Sequence, residues 1–148
     1  MNTAFKKATA KLAALGLISA AAGFVVVGNA SVAEAASCWY HNGSLMRVTA
    51  GGGGSRTMKY VTTPHSWQAR AGVYPGTVLF TGHFDGARYS GNARRFSKGC
   101  PGSPQHYYVS GPANSNRIIL RGRYNTGGCA MNGRMKNDRL VFTFSHAC

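Results

Sequence analysis

Carboxylates are nearly missing from this chain. Of 148 residues only Glu34, Asp85 and Asp138 are acidic. A two-carboxylate glycosidase needs a facing pair. The only candidates there, Asp85 and Asp138, each sit in a turn-like context, Asp85-Gly86 and Asn137-Asp138, and read as turn residues. Sustained helical periodicity is also absent beyond residue 35, which excludes a helical bundle. No Cys-x-x-Cys occurs, and the one close Cys/His pair is His146 with Cys148, so the spacing of a structural zinc site is missing. His83 and Asp85 stand two apart, which alone is too little for a metal site. Gly-x-Ser-x-Gly and a phosphate-binding loop are missing as well. No catalytic residue, metal ligand or cofactor site is therefore assigned.

The one long apolar run lies at the start. Lys6, Lys7 and Lys11 precede an uncharged stretch, Leu12 to Val27, and Ala33-Glu34-Ala35 supplies the small residues of a cleavage site. Residues 1–35 thus read as a secretory signal peptide cut before Ala36. The chain is expected in the periplasm or outside the cell, with no integral membrane segment after cleavage. Two alternatives are weaker. An uncleaved anchor needs about 20 apolar residues, and Asn29 and Ser31 interrupt the run. A lipid on Cys38 would leave three cysteines unpaired as a set, and Ala35 replaces the aliphatic residue such a site favours.

Cleavage removes three lysines and Glu34, leaving 14 basic against two acidic residues, a net charge of +12 over residues 36–148. This is one domain's length. The charge predicts attraction to anionic partners. Eleven of the 14 are arginines, whose fork grips phosphate or carboxylate bidentately.

Four cysteines in an exported domain read as two disulfides, and three pairings exist. Cys38 with Cys148 and Cys100 with Cys129 are favoured, because the first joins the two ends of the mature chain, as the closure of a barrel or sandwich does.

Several segments alternate with period two. Cys38–His41, Asn42-Gly43 and Ser44–Val48 read as a hairpin, since Asn-Gly is the strongest two-residue turn signal. Gly51–Gly54 reads as a loop. Arg56–Thr62 reads as a strand with Met58 and Tyr60 on one face, and Pro64–Gly76 as irregular. Thr77–Thr81 is a strand, and Gly82–Gly86 a turn. Arg88–Phe96 is a strand in which Phe96 falls out of phase and suggests a bulge. His106–Ser110 is a short strand. In Arg117–Tyr124, Ile118, Leu120 and Tyr124 share one parity, and Arg117, Arg121 and Arg123 the other. In Arg139–Phe144, Leu140, Phe142 and Phe144 share one, and Arg139 and Thr143 the other. The expected fold is all-β: a small antiparallel barrel or sandwich of about seven or eight short strands, stapled by disulfides.

Anion-binding candidates are Arg94, Arg95 and Lys98, and the stripe Arg117, Arg121 and Arg123. Tyr89, Phe96, Tyr107, Tyr108 and Tyr124 are the aromatic residues near them. Basic residues interleaved with aromatics on a β surface suit a single strand or an anionic sugar polymer. The expected partner is an anionic envelope component: lipopolysaccharide, acidic polysaccharide or nucleic acid. The histidines His41, His65, His83, His106 and His146 leave open a secreted ribonuclease working by acid–base chemistry, though no local motif pairs them.

Two resemblances rest on longer strings. Cys38-Trp39-Tyr40-His41-Asn42-Gly43-Ser44, Ala71 to Phe80, Tyr89-Ser90-Gly91-Asn92-Ala93 with Phe96 and Cys100, and Leu140-Val141-Phe142 resemble an uncharacterised exported module of Gram-negative bacteria. That module occurs alone or attached to caspase-like peptidase domains, and it implies no catalytic residue. Gly86-Ala87-Arg88-Tyr89 and Phe96-Ser97-Lys98-Gly99 resemble the two motifs of periplasmic C-type lysozyme inhibitors, with Asp85 where the first motif has Ser. An inhibitor of that kind implies Tyr89 and Lys98 converging on one protruding loop.

Overall fold

Positive φ at two consecutive residues turns the first hairpin. Asn42 at 48° and Gly43 at 77° join β1 (Ser37–His41) to β2 (Ser44–Ala50), the mirror-image turn whose twist matches that of paired strands. The computed structural model describes residues 36–148; the signal peptide expected over 1–35 lies outside them. β3 (Ser55–Tyr60), β4 (Val78–Phe84), β5 (Arg88–Arg95), β6 (Gln105–Pro112), β7 (Arg117–Asn125) and β8 (Met135–Ala147) follow. Each strand pairs antiparallel with the next, and β8 returns to β1, closing an eight-stranded barrel. A barrel, rather than a sandwich, leaves no unpaired edge.

Strand direction sorts the connections into two ends. The long-loop end carries the 42–43 turn and segments 61–77, 96–104 and 126–134. The short-turn end carries 51–54, 85–87 and 113–116, together with Ala36 and Cys148. An eight-stranded barrel is just wide enough for side chains to fill. Met46, Met58, Phe80, Val109, Ile118, Leu120 and Phe142 fill it with no exposed surface. β6 and β7 pair over only two rungs, Val109 with Gly122 and Ser110 with Arg121. There the backbones come so close that a Cβ on Gly111 would lie 1.8 Å from the Ile119 carbonyl oxygen.

Both expected disulfides are present. Cys38–Cys148 spans 5.7 Å between Cα atoms and ties the start of β1 to the end of β8. Cys100–Cys129 spans 5.8 Å and joins loops 96–104 and 126–134.

The structure corrects several local expectations. Segment 64–76 contains a short helix, α1 (Ser66–Arg70). Five residues are too few to show a period, and buried Gln68 holds it by accepting the His65 N–H and donating to Ser44 Oγ, both at 2.9 Å. β4 runs on to Phe84, so the turn begins only at Asp85. Phe96 makes no bulge; it lies past the end of β5 and packs edge-on against Tyr60 at 6.3 Å. Arg56 shares the inner face with Met58 and Tyr60 and is buried, its guanidinium 5.4 Å from the Phe84 ring centre. Phe144 keeps its parity but is 39% exposed, because it sits at the short-turn end, edge-on to Trp39. Asp138 belongs to β8, not to a turn, and points into the barrel beside the Tyr107 hydroxyl.

Candidate functional site

The outer wall of β7 and β8 follows from alternation. Ile118 and Leu120 face inward and are fully buried, so Arg117, Arg121 and Arg123 face out, and all three are exposed. The ladder with β8 sets Arg139 directly opposite Arg121 and Asn137 opposite Arg123. Arg139 is exposed on the same wall. Like charges directly opposite in an antiparallel pair destabilise the sheet. Between these side chains runs a shallow groove of about 540 Å³, bounded by Arg121, Gly122, Arg123 and residues 137–139. On the other flank Ser110 of β6 pairs with Arg121, and neighbouring Tyr108 is 62% exposed.

No acidic side chain among the described residues stands on this wall. Asp85 lies in the β4–β5 turn, where its Oδ1 accepts the N–H groups of Ala87 at 2.9 Å and Arg88 at 2.7 Å. Those two bonds hold its carboxyl below the usual value. Asp138 turns inward, accepting from Tyr107 and, at 2.9 Å, from the backbone N–H of Arg139.

Of the second expected cluster, Arg94 and Arg95 both border the cavity at the long-loop end, and Lys98 does not. The two arginines are consecutive at the end of β5, so their side chains leave the strand in opposite directions and meet different partners. Arg94 donates to the Val78 carbonyl at 3.1 Å, whereas Arg95 follows inward-facing Ala93 and lies over the Tyr124 ring, 3.9 Å from its centre. Lys98 is exposed in the 96–104 loop. The aromatics divide likewise: Tyr89 and Tyr107 are buried, Tyr124 faces inward, and Tyr108 alone of the five is a large exposed aromatic on the outer wall.

The long-loop end of the barrel holds a cavity of about 260 Å³. His41 lies on its wall, stacked on Phe142 with ring centres 4.6 Å apart and with Nδ1 2.9 Å from the Val141 carbonyl oxygen. Burial pushes its pKa down, against the opposing pull of that bond and of Asp138. The neutral ring donates from Nδ1, leaving Nε2 to accept from the Asn42 amide at 3.3 Å. Burial also pushes Tyr60 up to about 12. Tyr107 is raised by burial first and then by its bond to Asp138.

The histidines do not assemble a ribonuclease centre. His65 has its Nε2 2.9 Å from the Asn42 carbonyl oxygen, and no lysine lines the cavity. His83 and His146 lie toward the short-turn end, and His106 lies on β6. Tyr89 and Lys98 do not converge either: the first is buried near the start of β5, the second lies beyond its far end. Among the described residues no three His, Cys, Asp or Glu are placed to hold a metal ion, and no helix is long and apolar enough to cross a membrane.

Alternation put Arg139 on the outward face of its strand, as observed, but not among the anion-binding candidates. Its place opposite Arg121 depends on the β7–β8 register, for which one sequence carries no local signal.

No family model matches the chain, and no curated protein matches it. Among solved structures, the crystal structure of a rhizavidin–biotin complex is similar at 16% identity and a TM-score of 0.48, over 77% of this chain and 94% of that one.

Proposed function

We propose that the protein is a non-catalytic, exported β-barrel that binds an anionic envelope polymer along the outer wall of β7 and β8. The observation that carries this reading is the direct opposition of Arg121 and Arg139, flanked by Arg123 and Arg117, on a wall without an acidic side chain. A phosphate or sulfate between the two guanidinium groups converts a repulsive rung into an attractive one. The net charge of +12 raises the local concentration of any polyanion. Tyr108 offers a face on which a base or sugar ring can rest. The signal-peptide pattern and the two disulfides support an exported, oxidising location.

Heparin, lipopolysaccharide and single-stranded DNA represent the three polymer classes. If four arginines each meet one phosphate of single-stranded DNA, affinity should fall roughly 50-fold between about 50 and 200 mM salt. The variant R121Q/R123Q/R139Q should lower the log–log salt slope by about 2. Fluorescence anisotropy at a series of salt concentrations measures both. Equal slopes for the variant and the parent, or no binding of any of the three at low salt, would overturn the proposal.

A further inference from the structure

The inner positions of the long-loop end carry polar groups that the fold itself leaves unsatisfied. Along β5 the inward positions are Tyr89, Gly91, Ala93 and then Arg95, where the strand stops, so the guanidinium lies at the cavity rather than in the packed core. It stacks on Tyr124 but forms no hydrogen bond or ion pair with a carboxylate among the described residues. Asp138, the one acidic side chain inside the barrel, is engaged by Tyr107 and the Arg139 N–H instead.

Gln105 stands directly opposite Arg95 on the β5–β6 ladder. Both polar atoms of its amide are buried, and neither has a hydrogen-bond partner. Buried polar groups are nearly always paired, so an orphaned amide beside an uncompensated arginine marks a place where something else supplies the partners. A second cavity of about 190 Å³, bounded by Gln105, Arg95 and the Cys100–Cys129 bridge, adjoins this rung. On the other side of Arg95 the larger cavity combines the rings of Tyr60, Trp67 and Phe96 with polar groups, Arg94 and Asp138 among them. Arg94 is held by the Val78 carbonyl and Asp138 by Tyr107, which leaves Arg95 as the cation without such a bond.

We propose that the long-loop end of the barrel is a binding site for a small organic anion with a flat apolar body, its carboxylate or phosphate on Arg95 and its body against Trp67, Tyr60 and Phe96. At about 30 Å³ per water molecule, the 260 Å³ cavity holds about nine waters, or a one-ring ligand of similar bulk. The three rings supply area and the arginine fork supplies orientation, the usual division of labour in a small-molecule pocket. The site lies at the long-loop mouth of the barrel and goes beyond the polymer reading of the outer wall. A one-ring anion gains little from the open wall of β7 and β8.

The two tryptophans give a built-in test, since Trp67 lines this cavity and Trp39 lines one at the short-turn end that has no charged side chain on its walls. In ¹⁵N NMR of the protein from Ala36 to Cys148, benzoate and phenyl phosphate should shift the Trp67 indole saturably and leave the Trp39 indole in place. Benzyl alcohol, with the same ring and no charge, should bind about tenfold more weakly or worse, because it forfeits the charge-assisted bonds. R95Q should lose about as much, R95K should fall between, and R121Q/R123Q/R139Q should bind as the parent does. If R95Q does not fold, R95K and the benzyl alcohol comparison decide. No Trp67 shift up to roughly 10 mM of either anion, equal binding of benzyl alcohol, or unchanged binding by a folded R95Q would each overturn the proposal.

Discussion

Replacing Cys100 and Cys129 together by alanine opens a loop of 29 residues' separation, whereas replacing Cys38 and Cys148 opens one of 110. Restricting the unfolded chain over those lengths is worth about 3.6 and about 4.8 kcal/mol respectively in the chain-entropy model. Near its midpoint a folded domain gains about 2.1 cal/mol/K per residue on unfolding, or about 0.24 kcal/mol/K for residues 36–148. The two double variants should therefore melt about 15 °C and about 20 °C below the parent. Their consequences for binding should differ in the opposite order. Cys100–Cys129 holds the two loops that bound the Arg95–Gln105 rung, so its loss should also weaken anion binding at Trp67. Cys38–Cys148 lies at the other end of the barrel, where β1 and β8 pair with a register shift after Cys38. Its loss should fray that closure and leave Trp67 titrations unchanged at temperatures where the barrel is folded. Near-UV circular dichroism melts of both variants, with the indole titration repeated on each, test the reasoning. A larger stability loss from the shorter loop, or a binding defect confined to the C38A/C148A variant, would refute it.

Two further outcomes follow from close contacts and from burial. Gly111→Ala places a Cβ 1.8 Å from the Ile119 carbonyl oxygen and should cost at least about 3 kcal/mol in urea unfolding, while Gly52→Ala, with no atom within 4 Å, should stay within about 0.5 kcal/mol. His41 titrates below its ordinary value in the folded protein because it is buried, so the unfolded chain takes up its proton first. Stability from this residue is complete above about pH 6.5 and is lost as pH falls below it; urea midpoints taken from about pH 7.5 to pH 5 should drop for the parent and drop less for His41→Gln.

Much of the wall was legible because alternation is local. Arg117, Arg121 and Arg123 share a parity, and no topology could have put them on the same side as Ile118 and Leu120. The same rule sends Arg94 and Arg95 off β5 in opposite directions, to the Val78 carbonyl and the Tyr124 ring, although both border the long-loop cavity. Asp138 was misread for a different reason. Asn137-Asp138 has turn composition, but it falls within the 13 residues of β8, where pairing with β7 and β1 overrides local preference. α1 is held by the bonds Gln68 makes to His65 and Ser44, and the second of those reaches across 24 residues.

The sequence by itself determined the all-β class, the strongly basic character and the exposure of the β7 arginines. Each depends on composition or on a two-residue period that neighbours along the chain enforce. Tertiary structure alone decided that the sheet closes into a barrel, that Arg139 faces Arg121, which cysteines pair, and that Arg95 and Gln105 share a rung beside the long-loop cavity. Those facts depend on register. Register is set by pairing between strands far apart in the chain and by loops whose length, not composition, fixes which residue meets which.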